Sequence, residues 1–179
     1  MAKYAYVVLL AVILSGCAAP AAVEKMAATH VDTSSVRADS PMKNGIVIKS
    51  VSGGTATNPM WLSKVGDENF KQALQQSLQS SALLAPDGTN GNYTLDVKLL
   101  SLEQPFAGFD LKVTATAQYI LQEVSSGKQV LNTTIVTPFT ATVGDAFVAM
   151  VRLKIANEGA IRLNIEDFIK QLVAVDSNK

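Results

Sequence analysis

The sequence predicts an α+β domain of order β-α-β-β-β-α, a four-stranded, mostly antiparallel sheet covered on one face by two helices. Three observations carry that expectation. Runs between Tyr93 and Thr140 alternate apolar and polar residues with period two. Residues Phe70, Ala73, Leu74, Ser77, Leu78 and Ser81 recur at the spacing of one helix face. A long helical pattern, Val143 to Val173, ends in the stripe Ile161, Ile165, Phe168 and Leu172.

Ile46 to Val51 (IVIKSV) is a short β-branched run and reads as the first strand. Ser52 to Pro59 is a loop. Asp67 and Glu68 then open a helix, where acidic side chains suit the positive end of the dipole. Its opposite face carries Lys71, Gln72, Gln75, Gln76 and Gln79, and the turn-rich Pro86 to Asn92 stops it. Tyr93, Leu95, Val97 and Leu99 form one face of the second strand. The phase flips at Leu99-Leu100, which predicts a bulge or bend. After the turn Gln104 to Asp110, the run Leu111, Val113, Ala115, Ala117, Tyr119 and Leu121 is the clearest strand in the chain. Ser125 to Lys128 closes a hairpin onto Leu131, Thr133, Ile135, Thr137 and Phe139, and Pro138 argues for a strand end or an edge. In the final helical pattern Lys154 and Glu158 form an i,i+4 pair, and Gly159 is a possible kink. Upstream, Phe147, Met150, Val151 and Leu153 are apolar over a wider arc. An amphipathic sheet must cover its apolar face, and two amphipathic helices on that face are the economical solution.

Residues 44–175 therefore make one domain, and the chain's 179 residues leave little room for a second. Ala18 to Lys43 is rich in Ala, Ser, Thr and Pro with no sustained apolar period. Residues 17–43 are expected to be a flexible tether, with an r.m.s. reach of roughly 25–30 Å. His30 falls inside it.

Composition excludes several chemistries. Basic and acidic residues number 15 each, so no charge excess points to nucleic acid. The single histidine lies in the expected tether and the single cysteine opens it at position 17, so both fall outside the expected domain. Ser-His and Cys-His catalysis need a base oriented beside the nucleophile, and zinc sites need several Cys or His ligands. Ser52-Gly53-Gly54-Thr55 lacks the Gly-Lys-Ser/Thr ending of a phosphate loop. Asp67-Glu68 and Glu166-Asp167 read as solvated helix faces. No enzyme activity, cofactor or metal is expected. Two loops suggest binding instead: one with Met60 and Trp61, the other with Phe106 and Phe109. Exposed aromatics in loops mark contact with a partner or a membrane, although Trp61 could equally fold back and cap the core.

The N-terminus carries the most specific signal. Lys3 precedes the ten-residue apolar run Ala5 to Leu14, half the length a bilayer-spanning helix needs (roughly 20 residues) and the length of a signal-peptide core. Leu14-Ser15-Gly16-Cys17 follows and resembles the lipobox of bacterial lipoproteins. That resemblance implies a signal peptide at residues 1–16 and, on Cys17, a diacylglycerol group with an N-acyl chain. Ala18 after the cysteine implies the outer membrane, with the domain facing the periplasm. Removing residues 1–16 takes Lys3 away and leaves 14 basic against 15 acidic residues.

The layout as a whole is similar to small periplasm-facing lipoproteins built as a sheet with two covering helices, namely the LptE-like partner of the lipopolysaccharide-assembly barrel and the YajG-type lipoproteins. The lipobox, the strand Ile46–Val51, the helix Phe70–Leu84, the meander Tyr93–Thr140 and the last helix with Ile161 to Ile165 carry the similarity. It implies a non-catalytic accessory or adaptor role, with an envelope protein or a lipopolysaccharide or peptidoglycan component as partner. A carrier of a lipid or other hydrophobic ligand is the alternative.

Overall fold

The computed structural model describes residues 19–55 and 64–177. Cys17, Met60 and Trp61 lie outside the described residues. The elements are α1 (Val23–Met26), β1 (Ile46–Ser52), α2 (Asp67–Ser80), β2 (Tyr93–Glu103), β3 (Leu111–Glu123), β4 (Gln129–Ala141) and α3 (Ala149–Ser177).

The four strands form one mixed sheet in the order β1-β2-β3-β4. The β1–β2 pair is parallel, and β2–β3 and β3–β4 are antiparallel. Parallel neighbours need a crossover connection, and α2 lies on it. The expected phase flip is a bulge: the β2–β3 register shifts between Leu99 and Ser101, so Leu99 is buried while Leu100 stands exposed on the other face. Pro138 sits in β4, which is an edge strand, where its missing N–H breaks no second ladder.

All six positions of the expected stripe are buried, five within α2 and Ser81 at its C-cap. Along β3, Leu111, Val113, Ala115, Ala117, Tyr119 and Leu121 are buried against the helices, while the intervening Lys, Thr and Gln side chains face the open side of the sheet. Helix α3 lies across β3 and β4 without a break at Gly159. A Cβ there would meet the Phe139 ring at 2.4 Å, so glycine lets the helix press directly onto β4. The helix is held by polar clamps as well as apolar packing. Asn164 Nδ2 donates to the Ile135 carbonyl at 2.9 Å and to Thr137 Oγ1 at 2.9 Å. Helix α3 starts at Ala149 rather than at Val143. Asp145 instead closes a turn by accepting from the Thr142 amide and hydroxyl, at 2.7 and 2.9 Å.

The largest departure from expectation is the N-terminal segment. Residues 21–42 are packed into the domain and are not a free tether. Ala21, Met26, Ala27, Ala28 and Met42 are all buried. Helix α1 packs on both α2 and α3. The segment's backbone is satisfied by distant side chains. The Ala22 amide donates to Glu158 Oε1 and the Ala28 amide to Ser77 Oγ, each at 2.8 Å. Further along, Ser40 Oγ donates to Asp176, near the C-terminal end of α3. The folded unit therefore begins by Ala21. His30 is on its surface.

Candidate functional site

The open end of the sheet collects most of the exposed large apolar side chains among the described residues. Strand β2 pairs with β1 only as far as Lys98 and then runs on to Glu103, and the β2–β3 turn projects beyond β1. The β4–α3 connection lies at the same end, because Leu111 pairs with Ala141. Between the β2–β3 turn and the start of α3 lies an apolar groove of about 810 Å³, lined by Leu102, Gln104 to Gly108, Leu111, Ala149, Met150 and Leu153.

Phe106 and Phe109, singled out from sequence, are almost wholly exposed here, at 107% and 86%. Phe147 joins them at 89%, with Val148 beside it. Sequence reasoning placed Phe147 in the final helix; it lies in the connection before it. The missed signal was the wide apolar arc of Phe147, Met150, Val151 and Leu153, too broad for one buried stripe. Of these, only Leu153 is buried.

Polar groups around the groove serve architecture. Gln104 Nε2 donates to Asn157 Oδ1 at 2.7 Å, tying the β2–β3 turn to α3. Arg152 Nη1 donates to the carbonyls of Ala146 and Phe147, both at 2.7 Å, and holds the Phe147 connection over the helix start. Arg152 is 5% exposed, and its Nε has no partner among the described residues. The Thr142 amide, and secondly its hydroxyl, hold the Asp145 carboxyl below the usual carboxylate range. Asp67 and Glu68 start α2 as expected, and Asp67 Oδ1 accepts from the Gly54 amide at 2.6 Å. Glu166 and Asp167 both face Lys170, at 2.8 and 3.4 Å.

Among the described residues, no three His, Cys, Asp or Glu side chains come together as a metal site. No helix among them is long and apolar enough to cross a membrane. The arrangement offers apolar area bounded by two rigidly held loops, which suits contact with another apolar surface.

No family model matches the sequence, and no curated protein matches it. Solved structures do share its fold. A predicted lipoprotein from Caulobacter crescentus CB15 aligns with a TM-score of 0.52 at 13% identity, over 77% of this chain and 95% of that one. Protein XCC0632 from Xanthomonas campestris, of family DUF330, aligns at 0.53 and 12% identity, over 75% and 86%. The hypothetical protein CT253 from Chlamydia trachomatis aligns at 0.53 and 9% identity, over 75% and 99%. The chain is thus similar to these proteins in fold, a mixed sheet with helices on one face.

Proposed function

We propose that this chain is a non-catalytic, lipid-anchored protein of the bacterial cell envelope that works as an accessory or adaptor subunit, its apolar end contacting an apolar surface of the envelope. The observation that carries this reading is the groove between the β2–β3 turn and α3, lined by Leu, Met and Phe side chains, with Phe106 and Phe147 standing free. Such an exposed apolar patch is costly in water and marks an interaction surface.

The anchor is Cys17 in Leu14-Ser15-Gly16-Cys17, carrying the diacylglycerol and N-acyl groups, and Ala18 favours the outer membrane with the domain facing the periplasm. The shared fold of the predicted Caulobacter lipoprotein supports the same reading, as does the resemblance of the sequence layout to LptE-like and YajG-type lipoproteins. A protein of the envelope, or a lipopolysaccharide or peptidoglycan component, is the expected partner.

Palmitate labelling of cells making the wild-type chain and Cys17→Ser tests the anchor. Label on the first only, with Cys17→Ser lost from the membrane fraction, is expected; equal labelling or equal fractionation sinks it. Affinity purification of the acylated protein from detergent-solubilised envelopes then tests the adaptor role through a stoichiometric partner.

One observation favours a second reading. The groove volume falls within the roughly 300–1,000 Å³ typical of small-molecule sites, and its walls are mostly apolar, which suits a hydrophobic ligand. Native mass spectrometry without co-purified lipid would remove that alternative.

A further inference from the structure

We infer that the phenylalanine-bearing end of the domain is seated in the membrane leaflet itself, as a second attachment beside the lipid anchor. The inference rests on the anchoring of Cys17 proposed above and follows from where the N-terminal segment is fixed.

Ala21 is pinned. Its amide donates to the Lys64 carbonyl, its carbonyl accepts from Asn69, and the next amide is held by Glu158. Cys17 lies only four residue steps before Ala21, a span of at most about 14 Å. From Ala21 the chain runs away from the apolar end: Arg162 holds the Lys25 carbonyl, and Ser40 reaches Asp176. The anchor therefore leaves the body on the side of the α3 N-terminus. Glu158 lies nine residues into α3 from Ala149, about 13 Å along the helix. The anchor's maximum reach thus about equals the rise along α3 from Glu158 to the helix start beside the phenylalanines.

That tip has the composition of an interfacial insert. Nine large apolar residues are exposed among the described residues, and six of them, Phe106, Phe109, Val143, Phe147, Val148 and Val151, belong to these two connections or the first turn of α3. The flanking exposed charges are mixed, Glu103, Asp110 and Asp145 against Lys112. Attachment here draws on apolar burial, with no cationic patch for anionic headgroups. A lipid leaflet is favoured over a protein partner because a tether this short keeps the tip against the bilayer.

The test uses the acylated full-length protein in phosphatidylcholine vesicles, with and without lipid brominated near the top of its acyl chains. In a Trp61→Phe background, Phe106→Trp places an indole at the tip and Val124→Trp places one on the β3–β4 hairpin at the far end. Bromolipid is expected to reduce emission from Phe106→Trp by roughly half or more, as for a side chain seated about 5–10 Å into the interface, and to leave Val124→Trp unchanged. Added anionic lipid should not change either result. Hydrogen exchange of the unsubstituted protein gives an independent readout: amides of Phe106–Asp110 slow on vesicles. An acylated protein with no quenching at position 106 and no slowed exchange overturns the inference, as does protection that appears only when an envelope protein is added. A chain without acyl groups on Cys17 sinks the anchor reading and this inference together, which acyl analysis of the same sample distinguishes.

Discussion

Tyr119 on β3 donates its phenolic hydrogen to Asn164 Oδ1 on α3 at 2.8 Å, in a fully buried setting. The same ring stacks on Phe168, with centroids 4.1 Å apart. Asn164 in turn donates to β3 and β4 through the Ala115 and Ile135 carbonyls and Thr137 Oγ1. One amide thereby fixes the rotation and height of α3 on the sheet.

Asn164→Ala should destabilise the domain by about 2–4 kcal/mol, because it strands a buried hydroxyl and carbonyls that lose their partner. Tyr119→Phe leaves Asn164 its donor bonds and should cost less, about 1–2 kcal/mol. Urea unfolding checks both, and equal losses would contradict this ranking.

Burial pushes the Tyr119 phenol far above its ordinary value of roughly 10. Below that pH both folded and unfolded chains keep the proton, and the contribution to stability is full. Above it the unfolded chain releases the proton while the folded one retains it. Stability should therefore fall as pH rises past about 10, by up to about 1.4 kcal/mol per unit from this group. Unfolding midpoints measured across the alkaline range should fall less steeply in Tyr119→Phe.

Helix α2 ends in a Schellman motif: the Ala82 amide donates to the Gln79 carbonyl and the Leu83 amide to the Leu78 carbonyl. Ala82 occupies the left-handed position at φ 54°, where a Cβ is strained and glycine is the usual residue. Ala82→Gly should raise stability by about 0.5–1 kcal/mol, visible as a higher urea midpoint with an unchanged slope.

Met26 is completely buried, and Ser77 Oγ holds the Ala28 amide. Met26→Ala should cost about 2–4 kcal/mol, and Ser77→Ala about 1–3 kcal/mol. A dispensable tether predicts no change at Met26, so thermal unfolding of this one variant separates the two descriptions.

The sheet and α2 were legible because their burial is periodic. Strand β3 buries alternate residues over its whole length, and the slip at Leu99-Leu100 announced the bulge. Segment 21–42 was not legible because its burial has no period. Ala21, the run Met26–Ala28 and Met42 enter the core at irregular intervals, and backbone amides at Ala22, Ala28 and Arg37 are satisfied by Glu158, Ser77 and Asp176, which are far away in sequence. The site was half legible. Phe106 and Phe109 lie in an obvious turn, whereas Phe147 continued a helical pattern that Thr142 and Asp145 interrupt by local hydrogen bonding.

The packing of Ala21 to Ala28 beneath α3 also has a mechanical meaning. With Cys17 lipidated, a pull on the domain reaches the membrane through a link of at most about 14 Å. The protein then behaves as a bracket, and tilting it means breaking buried contacts. The hairpin at Ser125–Lys128 is held at a set standoff from the anchored end, at most about 40 Å for the 13 residues of β3. Whatever meets that far end meets it at one height and in one orientation.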